Sequence, residues 1–184
     1  MQSVRQTGHT LFADNCAACH GSQGKGQAGF PNLAAAVWQW GGEPATIAST
    51  LRTGINSAHP DSRVSQMPAF GTGGVLPKAD IDSVADYVLS LSHPAREETK
   101  FAAGKAIFAA NCVTCHGDDA KGNVELGAPN LTDEIWLYGG KKANVVETIT
   151  RGRQGHMPTW EARLSEVQRK ILALYVVNLG AGPK

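Results

Sequence analysis

The sequence of 184 residues lacks any long apolar run and has almost no net charge. No stretch approaches the roughly 18 consecutive apolar residues that a membrane-spanning helix needs, so we expect no span within it. The formal net charge is +1, without an extended acidic or basic run. This balance argues against a nucleic-acid-binding surface and against a polybasic membrane surface.

Cysteine is scarce, and all four cysteines belong to two copies of one motif. The motif Cys-x-x-Cys-His occupies residues 16–20 and 112–116. It is the attachment signature of c-type haem, in which two thiolates form thioethers with the haem vinyl groups and the histidine binds iron. The predicted ligands are Cys16, Cys19, His20, Cys112, Cys115 and His116. Since haem uses every cysteine, we expect no disulfide framework.

A strained disulfide or a zinc site is the alternative interpretation of such close cysteines. A structural zinc site needs four converging ligands, and its two cysteine pairs are usually separated by about 12–20 residues. Here the pairs lie 96 residues apart, and each is followed at once by histidine. The spacing therefore favours two covalently bound haem c groups.

Methionine is equally scarce, because Met67 and Met157 are the only two besides Met1. Each precedes a proline, which restricts the local backbone, and each lies ahead of a predicted helix. We predict that Met67 and Met157 are the second axial ligands of the two irons. A methionine is more often a gap-filler in a core. His59 and His156 are rival ligands, since imidazole binds iron more strongly than thioether does.

The two haem motifs belong to an internal repeat. Pro-Asn-Leu and Trp-x-x-Gly-Gly segments recur 98 residues apart, whereas the methionines are separated by 90. The first repeat therefore carries about eight extra residues within 55–66. The repeat predicts two domains, 1–93 and 94–184, each with one haem and its own set of ligands. The breaker-rich segment 92–96 is the predicted linker.

Apolar periodicity predicts an all-α fold, because strand signals are scarce. Helices are predicted over residues 4–15, 45–52, 79–91, 97–110, 143–150 and 166–178. Ser165 and Gln168 are a predicted capping box for the last of them. Domains this small bury a limited core, so each haem would supply much of the interior.

Residues after each histidine could complete the haem environment. Pro31 and Pro129 could turn the chain so that a carbonyl accepts the histidine's other N–H, or they could be ordinary loop prolines. Aromatic side chains could cover the haem, and arginines could pair with its propionates or remain solvated. These candidates are Trp38, Trp136, Tyr138, Arg52, Arg151 and Arg153.

Over nearly its whole length the sequence resembles the CcoP/FixP family, the dihaem cytochrome c subunits of cbb3-type haem–copper oxidases. The second repeat is similar through residues 127–133, Trp136-Leu137-Tyr138-Gly139-Gly140 and residues 152–158, and the first through residues 12–16, 31–33 and 38–42. The resemblance implies two tandem cytochrome c folds on the periplasmic face of a bacterial membrane, with His/Met-ligated haems and an N-terminal anchor. The printed residues show no signal-peptide or anchor pattern, and we therefore expect a mature chain or one shortened after its anchor.

The resemblance also implies a role in electron transfer. Electrons would come from a cytochrome c or the cytochrome bc1 complex and pass to the monohaem and catalytic subunits of the oxidase. The chain itself would not be an enzyme, because a filled sixth position prevents oxygen from binding to iron. The alternatives are a free-standing periplasmic dihaem cytochrome of the c4 type, a dihaem peroxidase and a gas sensor.

Overall fold

The computed structural model describes residues 2–35, 37–92 and 98–179, and its regular elements are helices. In chain order they are α1 (Gln2–Asn15), α2 (Ala17–His20), α3 (Pro44–Thr53), α4 (Lys78–Ser90), a 3-10 helix (Glu98–Phe101), α5 (Ala102–Asn111), α6 (Val113–His116), α7 (Lys142–Arg151) and α8 (Glu166–Val177). Within these described ranges, extended backbone pairs only as isolated bridges. None of the described helices has the length and apolar character needed to cross a bilayer.

Two compact units are present, and they do not follow the two repeats. The first unit comprises Met1–Val64 and Gly155–Lys184, and the second comprises Ser65–Gln154. The predicted domain boundary between residues 93 and 94 lies outside the described residues, as does most of the predicted linker. Each unit therefore combines the haem motif of one repeat with the Met-Pro segment and following helix of the other.

The first unit packs α1 and α3 against α8. Its core consists of apolar side chains on the inner faces of these helices, together with Leu164, which lies just before α8. They are Phe12, Ile47, Leu51, Leu164, Leu172, Ala173 and Val176. Gly8 permits the close approach of α1 to α8, because a Cβ at Gly8 would lie 2.7 Å from the Tyr175 Cβ.

The second unit packs α4 against α5 and α7 in the same manner. Its buried residues are Ile81, Val84, Ala85, Tyr87, Val88, Phe108, Ala120, Val145 and Ile149. Gly104, the repeat counterpart of Gly8, has the same packing role. A Cβ there would meet the Ser83 carbonyl oxygen and would lie 2.7 Å from the Tyr87 Cβ.

The start of α8 is fixed by the predicted capping box, which the structure confirms. The Gln168 backbone N–H donates to the Ser165 hydroxyl at 3.3 Å, and the Ser165 N–H donates to the Gln168 side-chain oxygen at 2.9 Å. These bonds satisfy two backbone donors that the first turn of a helix would otherwise leave unpaired. The capped helix then brings Leu172 into the core of the first unit.

Candidate haem sites

Each haem motif begins where a helix is interrupted. Cys16 lies between α1 and α2, and its backbone N–H donates to the Phe12 carbonyl at 2.8 Å. The His20 N–H donates to the Cys16 carbonyl at 2.9 Å, which closes one helical turn over the motif. In the second motif the corresponding bonds measure 2.8 and 3.0 Å. Two thiols and an imidazole thus lie within about one turn of helix, as attachment to one flat group requires.

The four cysteines are separate thiols. Burial raises the pKa of Cys16 and of Cys112 to about 11, with a smaller contribution from the neighbouring cysteine of each motif. In the described part of the chain, no three His, Cys, Asp or Glu side chains converge as a metal-binding group. The geometry therefore gives no support to the zinc alternative.

The imidazole of each motif is oriented by a proline carbonyl. The Nδ1 atom of His20 lies 3.1 Å from the Pro31 oxygen, and Nδ1 of His116 lies 3.1 Å from the Pro129 oxygen. Since a carbonyl can only accept, Nδ1 carries the proton and the Nε2 lone pair is free to bind iron. Burial lowers the pKa of both histidines against the opposing effect of the carbonyl, which favours this neutral form. The predicted proline interaction is confirmed in both units.

A glycine turn places each proline carbonyl beneath its histidine. The Gly26 N–H donates to the His20 carbonyl at 2.8 Å. Gly26 has a φ of 70°, and a Cβ there would lie 2.7 Å from the carbonyl carbon of Pro31. The same contact in the second unit joins Gly122 to Pro129. The recurring Lys-Gly pair after each haem motif thus has a steric cause.

The Trp-x-x-Gly-Gly segments fold a tryptophan back over a glycine. Gly41 has a φ of 89°, and its N–H donates to the Trp38 carbonyl at 3.4 Å. A Cβ on Gly42 would lie 2.7 Å from Trp38 Cγ, and one on Gly140 would lie 2.9 Å from Trp136 Cγ. Trp38 packs against the core of the first unit and Trp136 against the core of the second.

The methionine in each unit comes from the repeat that does not supply the haem motif. Met157 packs against the core of the first unit together with Cys16. Met67 packs against the core of the second unit together with Cys112. The repeat pattern alone predicted a haem motif and its methionine within one repeat, whereas the structure places them together from different repeats.

Paired backbone bonds fix this exchange. Ile55 and Met157 exchange N–H···O bonds of 2.9 and 2.9 Å, and Arg153 and Met67 exchange bonds of 3.0 and 2.8 Å. In each case the first partner directly follows the glycine that ends α3 or α7.

These helix-ending glycines have positive φ and touch the Met-Pro segments. A Cβ on Gly54 would lie 2.9 Å from the Pro158 carbonyl carbon, and one on Gly152 would lie 2.8 Å from that of Pro68. Because the two contacts are equivalent, the local sequence cannot distinguish pairing within a repeat from pairing between repeats.

The rival histidine ligands are placed elsewhere. The Nε2 atom of His59 lies 2.9 Å from a Glu161 carboxylate oxygen, and its Nδ1 accepts from the Asp61 N–H at 3.0 Å. With both ring nitrogens engaged, His59 is unsuited to replace a methionine. His156 is exposed to solvent. The thioethers of Met67 and Met157 remain the best candidates for the sixth ligand.

The predicted propionate-binding arginines behave differently from one another. Arg52 pairs with Asp61 at 3.1 Å and with Glu161 at 3.7 Å. Arg151 pairs with Glu147 at 2.8 Å. Both are therefore engaged by carboxylates of the protein.

Arg153 instead lies over the ring of Tyr138, at 4.3 Å from the centroid. A further arginine, Arg63, has a similar environment over Trp40 at 5.3 Å. Sequence comparison of the repeats missed Arg63, because it lies in the extra segment, where the first repeat has no counterpart in the second.

Comparisons with known proteins agree with the two repeats. Residues 6–92 match the family model of cytochrome c, and residues 99–176 match that of cytochrome c oxidase, cbb3-type, subunit III. Two cytochrome c domains, as predicted, are thus confirmed.

Several relatives align with nearly the whole chain. It is 55% identical over 180 residues to a protein of Bradyrhizobium sp. (strain ORS 278) named Cbb3-type cytochrome c oxidase subunit FixP, an alignment that covers 97% of this chain and 62% of the relative. It is 45% identical over 183 residues to the subunit CcoP of Cereibacter sphaeroides, with 99% and 63% covered. The chain thus spans less than two thirds of the length of these relatives.

Proposed function

This chain belongs to the family of the FixP and CcoP subunits of cbb3-type cytochrome c oxidases, as its motifs predicted, and we propose that it binds two haem c groups and carries electrons. The observation that supports this most is the content of each unit. Each contains one Cys-x-x-Cys-His motif, one proline carbonyl bound to its histidine, and one methionine in the adjoining apolar cluster.

The ligands divide between the haems by unit. For the first haem we propose Cys16 and Cys19 as thioether attachments, with His20 and Met157 as axial ligands. For the second we propose Cys112 and Cys115, with His116 and Met67. In both units the imidazole Nε2 is available to bind because Nδ1 donates to a proline carbonyl.

When bound, haem c supplies an iron that takes up and releases one electron. The residues of this chain would let the iron change its oxidation state without a change of ligands. The neutral thioethers of Met67 and Met157 would occupy the sixth position and exclude oxygen and peroxide. A neutral sulfur ligand among apolar side chains also disfavours the extra positive charge of ferric iron, which raises the reduction potential. Such sites suit electron transfer and do not suit peroxidase chemistry or gas sensing.

The partners follow from the family. We propose that electrons arrive from a cytochrome c or the cytochrome bc1 complex and leave to the other subunits of a cbb3-type oxidase. We also propose that the chain functions in the bacterial periplasm, where haem c is attached and where such donors are found. The names of the relatives, which are oxidase subunits, favour this role over a free-standing cytochrome of the c4 type.

The test is the spectrum of the purified holoprotein, with its haem content measured against protein. We expect two haems per chain, low-spin spectra in both oxidation states, and no change on adding CO to the reduced protein. Mixing the reduced protein with oxidase complex that lacks this subunit should then restore oxygen consumption. A single haem, or CO binding by the unmodified chain, would contradict the proposal.

A further inference from the structure

Two arginines hold equivalent positions in the two units. In the second unit, the Arg153 Nε donates to the Thr148 hydroxyl at 3.0 Å, and the guanidinium lies 4.3 Å from the centre of the Tyr138 ring. Both partners come from the same repeat as Arg153, from α7 and from the Trp-x-x-Gly-Gly segment.

The first unit contains the same arrangement around Arg63. Its Nη1 donates to the Thr50 hydroxyl at 2.6 Å, and the guanidinium lies 5.3 Å from the centre of the Trp40 ring. Thr50 and Trp40 precede their counterparts in the second unit by 98 residues, the common offset of the repeat. The two guanidinium groups therefore have matching environments.

The two arginines themselves do not correspond in sequence. At the offset of 98 residues, the position of Arg153 is occupied by Ile55, which has no charge. The extra segment brings Arg63 back beside Ile55, where the Asn56 N–H donates to the Arg63 carbonyl at 2.7 Å. The additional residues thus place a guanidinium where the first repeat would otherwise lack one. A guanidinium at this place in both units suggests that both sites require a cation there.

Neither guanidinium has an anionic partner in the described part of the chain, where Arg52 and Arg151 each pair with a carboxylate. Arg63 and Arg153 are both partly buried, and burial lowers the pKa of Arg63. A charge removed from water is costly unless an anion compensates it. An arginine over an aromatic ring also has its fork of N–H donors fixed in direction, ready for a carboxylate.

Both arginines lie next to the methionine side of a haem site. Arg153 pairs through its backbone with Met67, and Arg63 pairs with Ile55, which pairs in turn with Met157. Haem binding would bring two anionic propionate groups to each of these sites. We propose that Arg63 and Arg153 each bind a propionate of the haem in their own unit. This inference rests on the proposed function, since it requires the haems.

The test uses the holoprotein with Arg63→Gln and Arg153→Gln, and a potentiometric titration of both haems. Losing the cation leaves a propionate charge uncompensated, which stabilises ferric iron. We therefore expect a downward shift of the potential that is confined to one haem in each variant, and to a different haem in the two. Arg52→Gln and Arg151→Gln are matched controls, because they remove the same charge from arginines that already have carboxylate partners. We expect both controls to leave the potentials unchanged.

A lysine at either position keeps the charge and loses the fork, so Arg63→Lys and Arg153→Lys should shift the potential less than glutamine does. These variants also decide the question if Arg63→Gln fails to fold. If the glutamine variants lowered the melting temperature and left both haem reduction potentials unchanged, the arginines would only stabilise the fold. That result would overturn the inference. Shifts equal to those of the controls would also overturn it. Failure of the proposed function would differ, because the unmodified chain would then lack two low-spin haems.

Discussion

Each unit contains the same contact between a helix-ending glycine and a Met-Pro segment, and each places an arginine beside that contact. The two units reach this arrangement with different lengths of chain. In the second repeat, Gly152 is followed at once by Arg153, and only three residues separate Arg153 from Met157. In the first repeat, Gly54 is followed by Ile55, and the chain continues through an extra loop that contains Arg63 before it reaches Met67. The comparison teaches that the contacts of the site are kept while their positions in the sequence change.

The largest loss of stability should come from disrupting the contact between the helix-ending glycine and the Met-Pro segment. A Cβ at Gly54 or Gly152 would enter the facing Met-Pro backbone from a residue with a φ of 71° or 70°. We expect Gly54→Ala and Gly152→Ala each to lower the free energy of unfolding by roughly 3 kcal/mol or more, because overpacking adds to backbone strain. Each variant should also allow CO to bind the one reduced haem whose methionine is displaced. Absorbance of the reduced protein with CO measures this.

Gly74 provides the matched control for backbone strain alone. It has a φ of 72°, and a Cβ there would meet nothing within 4 Å. Gly74→Ala should lower the free energy of unfolding by only about 1 kcal/mol, because alanine is strained in a left-handed conformation. It should not make either haem bind CO. If Gly54→Ala, Gly152→Ala and Gly74→Ala lowered the free energy of unfolding equally, the close approach of the Met-Pro segments would not contribute to stability.

The helix crossings offer a second comparison between the units. At both glycines a Cβ would lie 2.7 Å from the Cβ of a tyrosine on the facing helix, and at Gly104 it would also meet the Ser83 backbone oxygen, which is closer still. Because of this additional backbone contact, we expect Gly104→Ala to lower the free energy of unfolding by about 3 kcal/mol and Gly8→Ala by about 1–2 kcal/mol. Guanidinium unfolding of the holoprotein measures both. Equal effects, or a larger one at Gly8, would contradict this packing.

The smallest effect concerns the ion cluster that the extra segment adds to the first unit. The hydrogen bond from His59 lowers the pKa of Glu161, and the charges of His59, Arg52 and Arg169 lower it further. Because the folded pKa lies below the ordinary value of 4.5, the ionised carboxylate stabilises the fold above that pH. This contribution is lost as the pH falls through the lowered folded pKa.

The replacement His59→Gln tests this cluster. It should raise the folded pKa of Glu161 and so make the melting temperature depend less steeply on pH in that acidic window. His156→Gln, at an exposed histidine, is the control. An unchanged slope in the His59 variant would show that the imidazole contributes nothing to the acid stability of this unit.

The sequence allowed much of each haem site to be predicted, because the ligands are rare residue types in fixed patterns. Cys16, His20 and the carbonyl of Pro31 could be assigned from short-range spacing, since their geometry arises within one turn of helix and one loop. The exchange of Met67 and Met157 could not be predicted. The glycine–methionine contacts are the same whether they form within or between repeats, so only the path of the whole chain decides.

The central claim is that each haem site is built from both repeats. It is tested most directly in a variant that cannot attach the second haem, Cys112→Ala with Cys115→Ala, where any spectral change belongs to the first haem. In this background we predict that Met157→Ala makes the remaining reduced haem bind CO, whereas Met67→Ala leaves it low-spin and unreactive. The reciprocal background, Cys16→Ala with Cys19→Ala, should reverse the two outcomes. CO binding caused by Met67→Ala at the first haem, with Met157→Ala silent, would contradict the claim.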